Sequence, residues 1–157
     1  MSRSIGPGLR KQWHRARVVP GGRWLFSRML GLRVPYTGSL GAVVQSLEPG
    51  YCEVKLRDTR RLRNHLHCVH AMALANLGEM ATGLALLNSL PDKSRAILTG
   101  FSIDYLRKAR GTLLAQSRCA GPRSNAIEDL EVDGEIRDGS GAVVATVRAR
   151  WRIGPEP

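Results

Sequence analysis

The chain has 157 residues, 43% apolar and 24% charged. That suits one globular domain with a single sizeable core and excludes a disordered or collagen-like chain. The net charge of +11 is concentrated: residues 1–35 hold eight basic residues (Arg3, Arg10, Lys11, Arg15, Arg17, Arg23, Arg28, Arg33) and no acid, while the rest balances to +3.

Residues 9–33 read as one or two basic helices, broken at Pro20-Gly21-Gly22, with Trp13, Trp24, Leu25, Phe26, Met29 and Leu30 as the apolar side. Such a segment calls for an anionic partner, unless it is merely solvated. With aromatics at 5% and no stacking platform or recognition-helix motif, nucleic acid is not expected, whereas weak contact with a membrane surface through residues 1–35 stays open. The first 20 residues lack the continuous apolar core of a signal peptide. Three scattered cysteines, Cys52, Cys68 and Cys119, exclude a disulfide framework, so a reducing cytoplasm is the expected compartment.

Leu40 to Leu47 is a short apolar run, Glu48-Pro49-Gly50 a turn, and Tyr51 to Arg57 an alternating strand. Residues 58–67 are polar and Arg-rich, a loop. Val69 to Asn88 reads as a long helix, apolar nearly all round, stopped before Pro91. Its Asn76 and Glu79 would be costly in lipid, so it is a buried helix rather than a membrane span. The period then becomes two. Ile97, Thr99, Phe101, Ile103 and Tyr105 share one strand face, and Thr112 to Cys119 is a further strand. Two clean strands follow, Leu130 to Arg137 and Val143 to Ile153, joined by Asp138-Gly139-Ser140-Gly141. A two-residue Gly139-Ser140 loop would set Glu131 opposite Arg148, Asp129 opposite Arg150, Val132 opposite Val147 and Ile136 opposite Val143. A helix apolar all round needs a wrapper, and a curved antiparallel sheet supplies it.

The densest group of reactive side chains is Arg63-Asn64-His65-Leu66-His67-Cys68-Val69-His70-Ala71, with Glu79 farther along the helix. A metal site is one reading, but the histidine spacing matches no standard structural-zinc pattern, and no metal is expected. In a purely structural reading, Asn64 caps a turn, His70 satisfies a carbonyl and Glu79 pairs with an arginine. The third reading is catalytic. The helix start near His70-Ala71 offers unpaired N–H groups to a developing oxyanion, and Glu79 among Leu77, Gly78, Met80, Gly83 and Leu84 is a carboxyl raised in pKa by burial. Ala71 and Glu79 lie about 12 Å apart along one helix, too far to share a reacting atom. Two antiparallel helices meeting across a two-fold axis would bring them together, so catalysis implies a dimer with two composite sites.

The run from Arg63 to Glu79 resembles the signature of hotdog-fold thioesterases: Asn, five residues, His-Gly-Gly, and an acid nine after the His, here Asn64, His70 and Glu79. It looks most like the phenylacetyl-CoA thioesterase-like branch and a related group described only as a domain of unknown function. Tyr105-Leu106-Arg107-Lys108-Ala109-Arg110-Gly111 looks like the end of that family's next strand. The resemblance spans roughly residues 36–154, so residues 36–157 form the expected hotdog domain and residues 1–35 a basic N-terminal helical extension.

The resemblance implies an α+β hotdog fold, a long central helix wrapped by a five- or six-stranded antiparallel sheet, assembled as a homodimer or dimer of dimers. It implies an acyl-CoA substrate, with coenzyme A as part of that substrate and no separate cofactor. Carried over, Glu79 is base or nucleophile, the Ala71 N–H polarises the thioester carbonyl, Asn64 holds the lytic water or the loop, and His70 orients its neighbours. Arg107, Lys108 and Arg110 are candidates for the phosphates of coenzyme A, with Arg60, Arg61 and Arg63 flanking the loop. The sequence departs from the pattern in having Ala71-Met72 for Gly-Gly and Glu for the commoner Asp. Two alternatives are a noncatalytic acyl-CoA or lipid binder, and a 2-enoyl-CoA hydratase or dehydratase using His70.

Overall fold

The computed structural model describes residues 5–156, so Arg3 of the basic segment lies outside the described residues. Three helices open the chain: α1 (Ile5–Ala16), α2 (Gly22–Arg33) and the short α3 (Pro35–Gly38). The strands β1 (Val43–Glu48) and β2 (Tyr51–Leu56), a 3-10 turn at Arg60–Leu62 and the long helix α4 (Ala71–Leu87) follow. The strands β3 (Ser94–Tyr105), β4 (Leu113–Arg118), β5 (Glu128–Arg137) and β6 (Val143–Pro155) complete the fold. All six strands join one antiparallel sheet in the order β1-β2-β4-β5-β6-β3.

α4 lies across the concave face of that sheet, which is the wrapped-helix arrangement the resemblance implies. Its buried residues run round nearly the whole helix, including Leu74, Leu77, Ala81, Ala85 and Leu86. Against them stand Val44, Val54, Leu56, Leu113 and Ile136 of the sheet. The approach is closest at Gly78, where a Cβ would come 2.5 Å from Cγ1 of Val147 on β6.

The basic helices are part of this core. Leu9 and Trp13 of α1 and Phe26 of α2 are buried in it, with the Trp13 and Phe26 rings edge to face at 5.2 Å. Arg10 donates from Nη1 to the carbonyls of Asn88 (2.5 Å) and Leu90 (3.2 Å), placing a cation on the carbonyl-rich end of α4. α2 covers the β1 edge: the Val44 N–H donates to Ser27 Oγ at 2.9 Å, satisfying an edge group that would otherwise face water.

The β5–β6 register differs from the expected one. Glu131 pairs with Arg150, Asp129 with Arg152, Val132 with Ala149 and Ile136 with Ala145, each two residues beyond the expected partner. Two local insertions cause it. The loop spans three residues rather than two, closed by Asp138 N–H to the Ala142 carbonyl (3.0 Å), with Gly141 at φ 84° and Asp138 Oδ1 accepting from the Ser140 amide (2.9 Å). A bulge then follows between Ile136 and Arg137. Each insertion shifts the register by one, and together they restore the face, so acid still meets base and apolar still meets apolar. Asp129 and Arg152 form a bidentate pair with both contacts at 2.8 Å. A second bulge, between Leu98 and Gly100, breaks the single face expected for Ile97 to Tyr105: Ile97 and Thr99 are exposed, while Phe101 and Ile103 turn partly inward.

Candidate active site

The loop before α4 is built by Asn64. Its Oδ1 accepts from the Leu66 N–H at 2.9 Å and lies 3.4 Å from both the Cys68 N–H and the Cys68 thiol. His67 sits at φ 56°, a left-handed conformation rare outside glycine. Arg110 spans the loop from outside, donating to the carbonyls of Leu66 and His67 at 3.3 Å each. Asp58 closes the base. It accepts from Arg63 at 2.7 Å and from the Gly111 N–H at 3.0 Å, its side chain is 4% exposed, and the Arg63 hydrogen bond holds its carboxyl below the usual range.

His70 is the N-cap of α4, with Nδ1 accepting from the Met72 N–H at 3.1 Å. In that role Nδ1 is the accepting ring nitrogen. The Ala71 N–H, at the first helical position, has no acceptor among the described residues. Met72 is 57% exposed, so its side chain is turned to solvent. The hydroxyl of Tyr105 donates to the Ala71 carbonyl at 3.0 Å, tying the end of β3 to the start of α4. Asn64, His70, Ala71 and Arg110 therefore gather at one end of the helix, with exposed Arg107 and Lys108 beside them. His65, His67, Cys68 and His70 do not converge on a common point among the described residues.

Glu79 lies two turns along α4, on a different wall. It lines an open cleft of about 1330 Å³ between α4 and the helices α1 and α2. Met80, Gly83, Leu84, Leu87 and Trp151 share its side, and Leu9, Trp24 and Leu30 face it. Of its sequence neighbours, Gly78 faces Val147 of the sheet instead and Leu77 is fully buried. The carboxylate has no cation or hydrogen-bond donor among the described residues, which removes the structural reading in which an arginine neutralises it. Burial alone pushes its pKa up. Gly83, one turn on, leaves room beside it: a Cβ there would lie 3.6 Å from Glu79 Oε1 and 3.1 Å from the Trp151 ring. The buried indole N–H of Trp151 has no acceptor among the described residues.

Within one chain the structure thus separates the acid from the amide donor, as the helical rise requires. The walls from α1 and α2, the Asp58 clamp and the Tyr105 bond escape sequence reasoning. Only Tyr105 carried a signal, as the first residue of the Tyr-Leu-Arg run.

The family described as a domain of unknown function, DUF4442, matches residues 22–153. No curated protein matches the sequence. Among solved structures, a structural-genomics protein, APC5556, superposes with a TM-score of 0.81 at 28% identity, covering 94% of this chain and 97% of its own. PA5026 of Pseudomonas aeruginosa, called a protein of unknown function and probable thioesterase, gives 0.76 at 20% identity over 88% and 97%. A thioesterase family protein of Silicibacter pomeroyi gives 0.71 at 19% over 82% and 96%. These structures share one fold with this chain, the hotdog fold.

Proposed function

The chain belongs to the DUF4442 family, and from that premise we propose that it hydrolyses acyl-CoA thioesters at a site completed across a homodimer. The observation that carries this reading is Glu79: an ionisable carboxyl without a counter-ion, raised in pKa by burial, on the wall of a largely apolar cleft. A solvated or paired glutamate has no such need of space beside it. The superfamily fold and the names of its thioesterase members support the same chemistry.

In this reading the acyl chain lies in the cleft beneath α1 and α2. Glu79 takes a proton from water as the water oxygen attacks the thioester carbonyl. The oxyanion is met by the N–H of the partner's Ala71 at a helix start. The C–S bond then breaks, and the proton returns to the leaving thiolate. Direct attack by the carboxylate is the other route to the same products. Asn64 and His70 hold the loop and helix start in place. Arg107 and Lys108, exposed at that end, meet the phosphates of coenzyme A, while Arg110 contributes mainly by holding the loop. β3 supports the dimer, since its outer side is unpaired along twelve residues, an edge that a second β3 would extend.

The test is thiol release over short, long and aryl acyl-CoAs with the full chain. Glu79→Gln is expected to cut turnover by about 10²–10⁴ with the fold intact. Undiminished turnover in that variant removes Glu79 from the mechanism. Loss of enoyl absorbance from crotonyl-CoA without free thiol would instead indicate a hydratase.

A further inference from the structure

α2 carries its apolar residues on the wrong side for a helix of a solvated surface. Phe26 and Ser27 face the core, yet Trp24 and Leu32, two turns apart on the opposite face, are 58% and 75% exposed. Leu25 and Met29 flank them, also exposed. Nine of the fifteen large hydrophobic side chains exposed among the described residues lie between Ile5 and Tyr36. Exposure clustered in this way marks a surface that meets something apolar.

The same surface is cationic. The first acid in the chain is Glu48. Arg10 is engaged with the end of α4, and Arg17 reaches Glu48 at 3.4 Å. Lys11, Arg15, Arg23, Arg28 and Arg33 have no acidic partner among the described residues. Arg28 stands over the Trp24 ring at 6.0 Å, so the charge is interleaved with the apolar residues. The Glu79 cleft opens here as well, with Trp24, Leu32, Val34, Lys11, Arg28 and Arg33 among its lining.

We propose that the outer face of α1 and α2 seats the protein on an anionic lipid bilayer, with the mouth of the cleft turned towards the lipid. Exposed apolar side chains interleaved with unpaired cations are what an interfacial helix needs: the former enter the acyl boundary and the latter meet the headgroups. A second copy of the chain fits this face poorly, because a two-fold contact would set the same cations against themselves. Nucleic acid fits less well, since the aliphatic Leu25, Met29, Leu32 and Val34 outnumber the exposed aromatics Trp24 and Tyr36 on this face. No described helix is long and apolar enough to cross a membrane.

Co-sedimentation of the full chain with vesicles tests this without any substrate, so it stands or falls apart from the hydrolase reading. Binding is expected to vesicles of phosphatidylcholine with phosphatidylglycerol, far weaker binding to phosphatidylcholine alone, and weakening with added salt. Arg28→Gln with Arg33→Gln is expected to weaken binding about thirtyfold, at about fivefold per surface cation. Leu25→Ser with Leu32→Ser is expected to weaken it by about tenfold or more. All four side chains are exposed, and a thermal melt checks that each variant folds. Any one of four results overturns the proposal: no binding to the anionic vesicles, equal binding by both folded variants, preference for an RNA duplex over the vesicles, or a dimer that dissociates with Leu25→Ser and Leu32→Ser.

Discussion

Glu79 carries a cost that its surroundings do nothing to relieve. Met80 and Leu84 are buried beside it, no donor compensates, and the folded state therefore favours the protonated carboxyl. A carboxyl raised in this way contributes to stability fully below its unfolded pKa of about 4.3, and loses that contribution as pH rises through the folded value. Glu79→Gln removes the dependence. Its melting temperature relative to the parent is expected to rise from acidic to neutral pH, and paired thermal melts check this; a constant difference would mean that the carboxyl is solvated. The proposed hydrolysis would run the opposite way with pH, because a base acts only when ionised. The acid limb of kcat/KM is expected above the ordinary glutamate range, and a limb at or below it would contradict a buried base.

At the scale of elements, α4 is positioned by a small residue and oriented by its two ends. Gly78 lets the helix meet β6, where Val147 leaves no space for a larger side chain. Gly78→Val is expected to destabilise by about 1–3 kcal/mol, the usual cost of overpacking, read as a lower denaturant midpoint. A neutral effect would mean that helix and sheet separate more easily than their contact implies. At the N-terminal end His70 caps the helix, and at the C-terminal end Arg10 holds the last carbonyls. The β5–β6 hairpin shows the limit of pattern reading. Alternation correctly paired charge with charge and apolar with apolar, but two compensating insertions moved each partner by two residues. A period of two cannot distinguish registers that differ by two.

At the scale of the molecule, the proposed composite site is tested by pairing two different variants in one dimer. Ala71→Pro removes the N–H at the first helical position, where proline is compatible with the helix and His70 is already extended. Homodimers of Ala71→Pro and of Glu79→Gln are each expected to be nearly inactive. Mixing them, with exchange of subunits, is expected to restore activity, since each mixed dimer keeps one site with both groups intact. No recovery in verified mixed dimers would place acid and donor in sites that do not span the interface. The basic helices enter at this scale too. Leu9, Trp13 and Phe26 join the core, so the segment that distinguishes the chain by charge also forms one side of the cleft.

What the sequence determined by itself was local and periodic. Alternation identified the strands, an all-round apolar run identified α4, and the spacing of Asn64, His70 and Glu79 marked the loop, the helix start and the acid, since positions along one helix follow from its rise per residue. The apolar run also predicted that Glu79 is buried, but what buries it was beyond the sequence's reach, because that depends on segments remote in the chain. Glu79 is enclosed by helices that end more than forty residues before it, and Asn64 is bound within a loop that Arg110 closes from after β3. No pattern in the run around either residue records those neighbours. Only tertiary packing decided that the acid has a cleft rather than a counter-ion.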